Sequence, residues 1–108
     1  MKDLKISKEL LSEVLNLNIT YIERCNNSII YKISVYDREE EVNIYELAHK
    51  CKEWAFNKGY SISIHQSEIS GYIAEIHCGW SVTDFHSRFE PEAIIKACEW
   101  VLKELNEK

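Results

Sequence analysis

Three histidines and two carboxylates are the residues of this chain best suited to chemistry. His65 and His77 fall on the polar side of two neighbouring predicted strands, and Glu75, Asp84 and His86 follow close by. If those strands pair, such a cluster could bind zinc or act as general acid and base. No His-x-x-x-His, His-x-His or Glu-x-x-His spacing surrounds them. The pattern favours solvent-facing histidines, with a small metal-dependent or acid–base enzyme using His65 and His77 as the alternative.

The four cysteines lie too far apart in sequence for a Cys-x-x-Cys zinc or redox motif. Cys51 and Cys98 sit in apolar helical stripes, where a thiol packs as a small core side chain. Cys78 directly follows His77, but adjacent strand residues point to opposite faces, so this histidine is poorly placed to activate the thiol. The three glycines are dispersed and form no phosphate-binding loop. These observations favour a protein that is not an enzyme and has no cofactor or metal.

The charge balance indicates the kind of partner. Thirteen Lys and Arg against eighteen Asp and Glu give a net charge of −5, which disfavours direct binding to nucleic acid. Four carboxylates within five residues form an exposed loop or strand extension that can engage a basic groove on a protein. Two aromatic residues near the last predicted turns can add contact anchors. The partner-binding candidates are Asp37, Glu39, Glu40, Glu41, Trp80 and Phe85.

The length and composition favour one ordinary globular unit. With 108 residues, 45% of them apolar, the chain can bury a core without disulfides, and we expect a single domain over residues 1–108. No apolar run approaches the ~20 residues of a membrane span, and no apolar stretch of signal-peptide length follows Met1. We therefore expect a cytoplasmic protein with no membrane partner and with reduced thiols.

Periodicity predicts eight elements that position these residues. Helical spacing of apolar residues predicts helices over 7–16, from Asn43 to Gly59, and from Glu90 onward. Alternation with a period of two predicts strands over about 19–24, 29–36, 60–65, 72–78 and 80–85. The order α-β-β-α-β-β-β-α predicts an α+β fold with one mostly antiparallel sheet of about five strands. Residues 19–57 and 60–106 both run from strands into a helix, a hint of a degenerate internal duplication without a residue-level repeat.

Three short segments carry a resemblance to a known family. They are Ile-Tyr-Glu-Leu-Ala-His-Lys-Cys-Lys-Glu-Trp-Ala from residue 44, Asn-Lys-Gly-Tyr from residue 57, and Glu-Pro-Glu-Ala-Ile-Ile-Lys-Ala-Cys from residue 90. With the strands between them, they resemble small phage and prophage proteins that carry the phage ABA-sandwich domain. The resemblance covers about 60 of 108 residues, 44–103. It implies a mobile-element origin and an accessory function, and it brings no catalytic residues.

The leading interpretation is a non-enzymatic, phage-derived module that binds a host protein. In its sharpest form the chain is an anti-CRISPR or other anti-defence inhibitor, which blocks the basic surface of a nucleic-acid-binding nuclease. This form depends on the resemblance and on the net charge of −5. A third class is a homo-oligomeric scaffold, for example a homodimer, in which an exposed strand edge or aromatic residues pair with a second copy.

Overall fold

The computed structural model describes residues 6–33 and 38–107, which form three helices and six strands. In chain order the elements are α1 (Lys8–Leu15), β1 (Ile19–Cys25), β2 (Ser28–Ile33), β3 (Arg38–Asn43), α2 (Ile44–Asn57), β4 (Ser61–Ser67), β5 (Gly71–Cys78), β6 (Ser81–Ser87) and α3 (Glu90–Asn106). The three predicted helices are all present. The described strands number one more than predicted.

The strands form two separate antiparallel sheets. Sheet A has the order β1-β2-β3 and sheet B the order β4-β5-β6, so each is a meander of strands that are neighbours in sequence. The prediction of one sheet of about five strands in the order α-β-β-α-β-β-β-α is therefore wrong. Alternation along a strand shows which residues share a face. It carries no information on whether strands pair across the 14-residue helix α2.

The strand missed by the sequence analysis is β3. Consecutive glutamates are depleted in strands, so the charged run was expected to be a loop or strand extension. In the structure β3 nevertheless pairs with β2 along its whole length, and Val42 is its one buried residue. Asp37 and the predicted strand end at 34–36 lie outside the described residues. Pairing with β2 thus overrides the low strand propensity of the glutamates.

The helix boundaries follow local signals that the sequence contains. Asn43 Oδ1 accepts a hydrogen bond from the Tyr45 amide at 2.8 Å and so caps α2. Gly59 follows α2 with a φ of +95°, which lets the chain turn directly into β4. Pro91 lies in the first turn of α3, where a missing N–H costs nothing. Gly59 and Pro91 therefore mark the chain positions just before and just after sheet B.

The buried side chains form one cluster beneath both sheets. α3 packs on sheet B and on α2, α2 contacts both β3 and β4, and α1 packs on β1 and the other two helices. The Cα atoms span 42 × 34 × 18 Å, and the shortest dimension fits one layer of helices against one layer of strands. Each sheet therefore buries one face and turns the other to solvent.

The helix contacts in this core involve two tryptophans and two cysteines. Trp54 on α2 is buried and Trp100 on α3 is partly buried, with its ring edge-on to Tyr60 at 6.1 Å between centroids. Cys51 and Cys98 are fully buried, as predicted, and the Cys98 thiol donates a hydrogen bond to the Cys51 carbonyl at 3.4 Å. A side-chain hydrogen bond with Cys51 and burial raise the pKa of the Cys98 thiol. This thiol therefore stays protonated and unreactive.

Candidate functional site

The solvent side of sheet B, called the histidine face below, brings most of the predicted chemical residues together. The registers of β4 with β5 and of β5 with β6 place Glu75 at the centre of three rows of side chains. Asp84 lies directly across from Glu75 on β6. The three rows are Ser61, His77 and Val82; Ser63, Glu75 and Asp84; and His65, Ile73 and His86.

Glu75 links two of the imidazoles. Its Oε1 lies 2.6 Å from His77 Nε2 and 3.7 Å from His65 Nε2. The side chain of Glu75 is 29% exposed, whereas those of His65 and His77 are 54% and 43% exposed. The two histidines thus share one carboxylate oxygen, and His86 flanks Ile73 on the far side of the face.

This arrangement can orient an imidazole, but its side chains are exposed to solvent. A carboxylate beside a histidine fixes the ring and is the pairing used in acid–base dyads. Here both partners face solvent on a sheet surface, without the exclusion of water that strengthens catalytic electrostatics. Among residues 6–33 and 38–107, no group of three or more His, Cys, Asp and Glu side chains is arranged to hold a metal ion. The Glu75–His77 contact is an ion pair only while the imidazole is protonated.

The turn between β5 and β6 presents the most exposed large hydrophobic side chain among the described residues. Gly79 and Trp80 connect the paired residues Cys78 and Ser81, which makes a two-residue hairpin loop. Gly79 has a φ of +62°, the positive value that a type II′ turn needs at its first loop position. Trp80 has a relative exposure of 102%, and Val82 beside it is 55% exposed. This hairpin tip leaves an indole wholly in water.

Phe85 does not share that surface. It lies on the side of β6 that faces the helices, is partly buried, and packs against Trp100 with 6.3 Å between ring centroids. The two candidate aromatic residues therefore have different environments. Trp80 is available for contact, whereas Phe85 contributes to the core.

The solvent side of sheet A, called the acidic face below, carries part of the predicted acidic run. Glu39 and Glu41 lie on this side of β3 and are exposed. Glu40 points to the other side, where it forms an ion pair with Arg38. The run therefore does not act as one unit, because alternation along β3 divides it between two faces.

Three carboxylates and one ammonium group occupy the acidic face. Glu23 and Glu41 flank Ile30, and in the next row Lys32 lies between Tyr21 and Glu39. Lys32 Nζ lies over the Tyr21 ring, 5.6 Å from its centroid. Within the described part of the chain, neither Glu39 nor Glu41 has an ion-pair partner within 4.0 Å. The negative charge of Glu23 raises the pKa of Tyr21, which agrees with a surplus of negative potential there.

A cavity of about 620 Å³ lies at the end of β6 that is remote from Trp80. It is open to solvent on one side and is lined by the β4–β5 turn, the last residues of β6 and the first two turns of α3. Arg88 Nη2 donates a hydrogen bond to the Ile69 carbonyl at 3.2 Å, at the cavity wall. The lining residues are Ile69, Ser70, His86, Ser87, Arg88, Phe89, Glu92 and Lys96.

The sequence analysis missed this cavity because its walls come from two segments that no motif connects. One residue in the sequence, Gly71 after the β4–β5 turn, could have indicated that two backbone segments approach each other here. A Cβ atom there would lie 2.8 Å from Arg88 Cα, and the φ of Gly71 is +88°. A glycine that opens a strand can mark such a close approach of two backbone segments.

No family model, curated protein or solved structure matches this chain. In the described part of the chain, no helix has both the length and the apolar character to cross a membrane. The two sheet surfaces and the cavity are therefore the features that indicate function.

Proposed function

We propose that this chain is a non-enzymatic protein-binding module that docks its acidic face on a basic surface of a partner. The observation that carries the proposal is the alternation along β3. Glu39 and Glu41 face solvent with no ion-pair partner among the described residues, whereas Glu40 faces the other side beside Arg38. The strand holds the Cβ atoms of these glutamates at a regular spacing, which favours recognition of cationic groups at matched spacing.

The surroundings of these carboxylates support a docking role. Ile30 lies between Glu23 and Glu41 and supplies an apolar centre with a charged border. Lys32 is the one cation in these rows, so the charge of the face stays negative. Such a surface attracts a basic partner over the Debye length, about 10 Å at 0.1 M salt.

A sharper form of the proposal names the partner as a nucleic-acid-binding defence nuclease. The chain would then be a phage-derived anti-CRISPR or other anti-defence inhibitor. The support for this form is the resemblance to phage ABA-sandwich proteins together with the net charge of −5. Carboxylates that occupy a basic channel compete with phosphates for the same Lys and Arg side chains.

The test compares two sets of substitutions on the same strand. Wild type, Glu39→Gln/Glu41→Gln and Glu40→Gln are immobilised, and association with purified Cas nucleases and with proteins captured from the source cells is timed at several salt concentrations. We expect the double variant to associate about tenfold more slowly at low salt, because steering depends on these charges. Glu40→Gln is the matched control, since it removes a carboxylate of the same strand from the opposite side.

Two results would contradict the proposal. One is equal association of the wild type and the double variant with a partner that the wild type binds. The other is an equal loss in Glu40→Gln, which would indicate a general effect on β3. Failure of every Cas nuclease to bind, with another basic protein bound, would reject only the sharper form.

A further inference from the structure

The two ends of strand β6 differ, since one carries an exposed ring and the other a cavity. Trp80 precedes β6 and is fully exposed, whereas the 620 Å³ cavity at Arg88 and Phe89 follows it. Strand β6 is also an edge of sheet B, because β5 is its one partner strand among the described residues. An exposed indole, an open strand edge and a cavity therefore follow one another along β6.

We propose that β6 pairs antiparallel with β6 of a second copy of this chain, so that each Trp80 enters the cavity of the other copy. A two-fold axis across the strand places the start of one β6 beside the end of the other. Both indoles then meet both cavities in a single self-complementary interface. The two sheets B become one continuous sheet of six strands.

The β6 edge has few of the features that normally prevent such pairing. Proteins protect edge strands with proline, lysine or a bulge. β6 contains no proline or lysine, and its register with β5 runs without a bulge from Tyr72↔Ser87 to Cys78↔Ser81. Lys96 donates a hydrogen bond to the His86 carbonyl at 3.1 Å. A carbonyl oxygen has two lone pairs, so this bond leaves room for an amide of the second copy.

Charge complementarity selects one register. When the axis passes Phe85, Asp84 of each copy lies directly across from His86 of the other, and both sit on the histidine face. An imidazole N–H can donate to the carboxylate whether or not the ring is charged. An axis at Asp84 would instead place two carboxylates opposite each other, which destabilises a strand pair.

The chemistry of the cavity fits an indole. The Arg88 guanidinium, which donates a hydrogen bond to the Ile69 carbonyl, lies at the cavity wall, where it can stack on an aromatic ring. Ile69 and Phe89 add apolar wall. Burial of an exposed tryptophan in such a pocket is the usual energetic centre of an interface.

This inference is independent of the proposed function. It uses the edge of sheet B, whereas the acidic face belongs to sheet A. A dimer formed through β6 would carry two acidic faces.

The first measurement is the solution mass by sedimentation equilibrium up to ~1 mM chain, where an association of about −4 kcal/mol is half populated. We expect twice the chain mass of 12.7 kDa for the wild type. Trp80→Ser should dissociate the dimer at least tenfold more readily. Phe56→Ser, which removes another exposed ring outside β6 and the cavity, should leave the mass unchanged.

A charge exchange tests the register. Asp84→Lys alone should weaken the dimer, because the introduced lysine faces His86 of the other copy. The combined variant Asp84→Lys/His86→Asp restores opposite charges across the axis and should recover the dimer. A monomeric wild type at ~1 mM, or a dimer that tolerates Trp80→Ser, would overturn the inference. A dimer that Asp84→Lys weakens and the combined variant does not restore would overturn the register.

Discussion

Sheets A and B follow the same plan but present different chemistry to solvent. Each is a three-stranded antiparallel meander that runs into a helix, sheet A into α2 and sheet B into α3. Their buried sides carry similar apolar residues, such as Ile29 and Val42 in sheet A and Ile62 and Ile76 in sheet B. Their open sides differ, since one is acidic and the other has histidines around a single carboxylate. Folding constrains the inward residues of each strand, and the outward residues are free to diverge.

The two sheets also share a turn design with different residues. Cys-Asn-Asn-Ser joins β1 to β2, and Cys-Gly-Trp-Ser joins β5 to β6. The first loop residue has a positive φ in both turns, 53° at Asn26 and 62° at Gly79. In sheet B, Gly79 adopts the positive φ that the turn needs, so the next position can hold a large aromatic residue, Trp80.

The largest expected effect concerns the core that joins the two sheets. Trp54→Ala should lower the free energy of unfolding by about 3–5 kcal/mol, because α2 packs against α3 and against the edges of both sheets. Urea unfolding monitored by far-ultraviolet circular dichroism measures the change. Phe56→Ala on the same helix is the control, since this exposed ring should matter by no more than ~0.5 kcal/mol. Separate unfolding transitions for the two sheets would show that they do not share one core.

A smaller effect compares the two turns. Gly79→Ala should cost about 1 kcal/mol, because an alanine is strained at a φ of +62° although its Cβ would meet no neighbouring atom within 4 Å. Asn26→Gly should be neutral or slightly stabilising, since asparagine already tolerates this conformation. Thermal unfolding of both variants gives the comparison. A neutral Gly79→Ala would mean that the loop can adopt another turn type.

The smallest expected effect concerns the histidine face. We predict that His65→Ala/His77→Ala changes unfolding by no more than ~0.5 kcal/mol and leaves partner binding through sheet A intact, since both side chains are substantially exposed. We also predict that the purified protein holds no stoichiometric transition metal. Elemental analysis that finds one zinc per chain would overturn this prediction and favour the enzyme alternative.

The sequence contained enough information for the helices and for most of the strands. Asn43 and Gly59 mark the ends of α2 by chemistry that acts within a few residues. Strand β3 could not be recognised in this way, because Glu39 and Glu41 face water and Val42 is its one buried residue. Its stability comes from pairing with β2, which a local pattern does not encode. The number of sheets was missed for the same reason.

Some parts of the candidate site could be predicted from the sequence and others could not. The approach of His65 and His77 to Glu75 could be predicted from alternation, since it needed only that β4 and β5 pair. To predict that Glu40 lies on the opposite side of β3 from Glu39 and Glu41, one must first know that this segment is a strand paired with β2. The cavity beside Arg88 could not be predicted, because it depends on how a turn and the start of a helix pack in three dimensions. Gly71 was the one residue in the sequence that indicated a close backbone approach there.

The three tryptophans make the protein a source of separate optical signals. Trp54 is buried, Trp100 is partly buried and Trp80 is wholly in water. Acrylamide will therefore quench the red-shifted emission of Trp80 first and leave a blue-shifted remainder from Trp54. Fluorescence can then report events at the hairpin tip without disturbing the core, and a single-tryptophan variant of each kind would assign the two components.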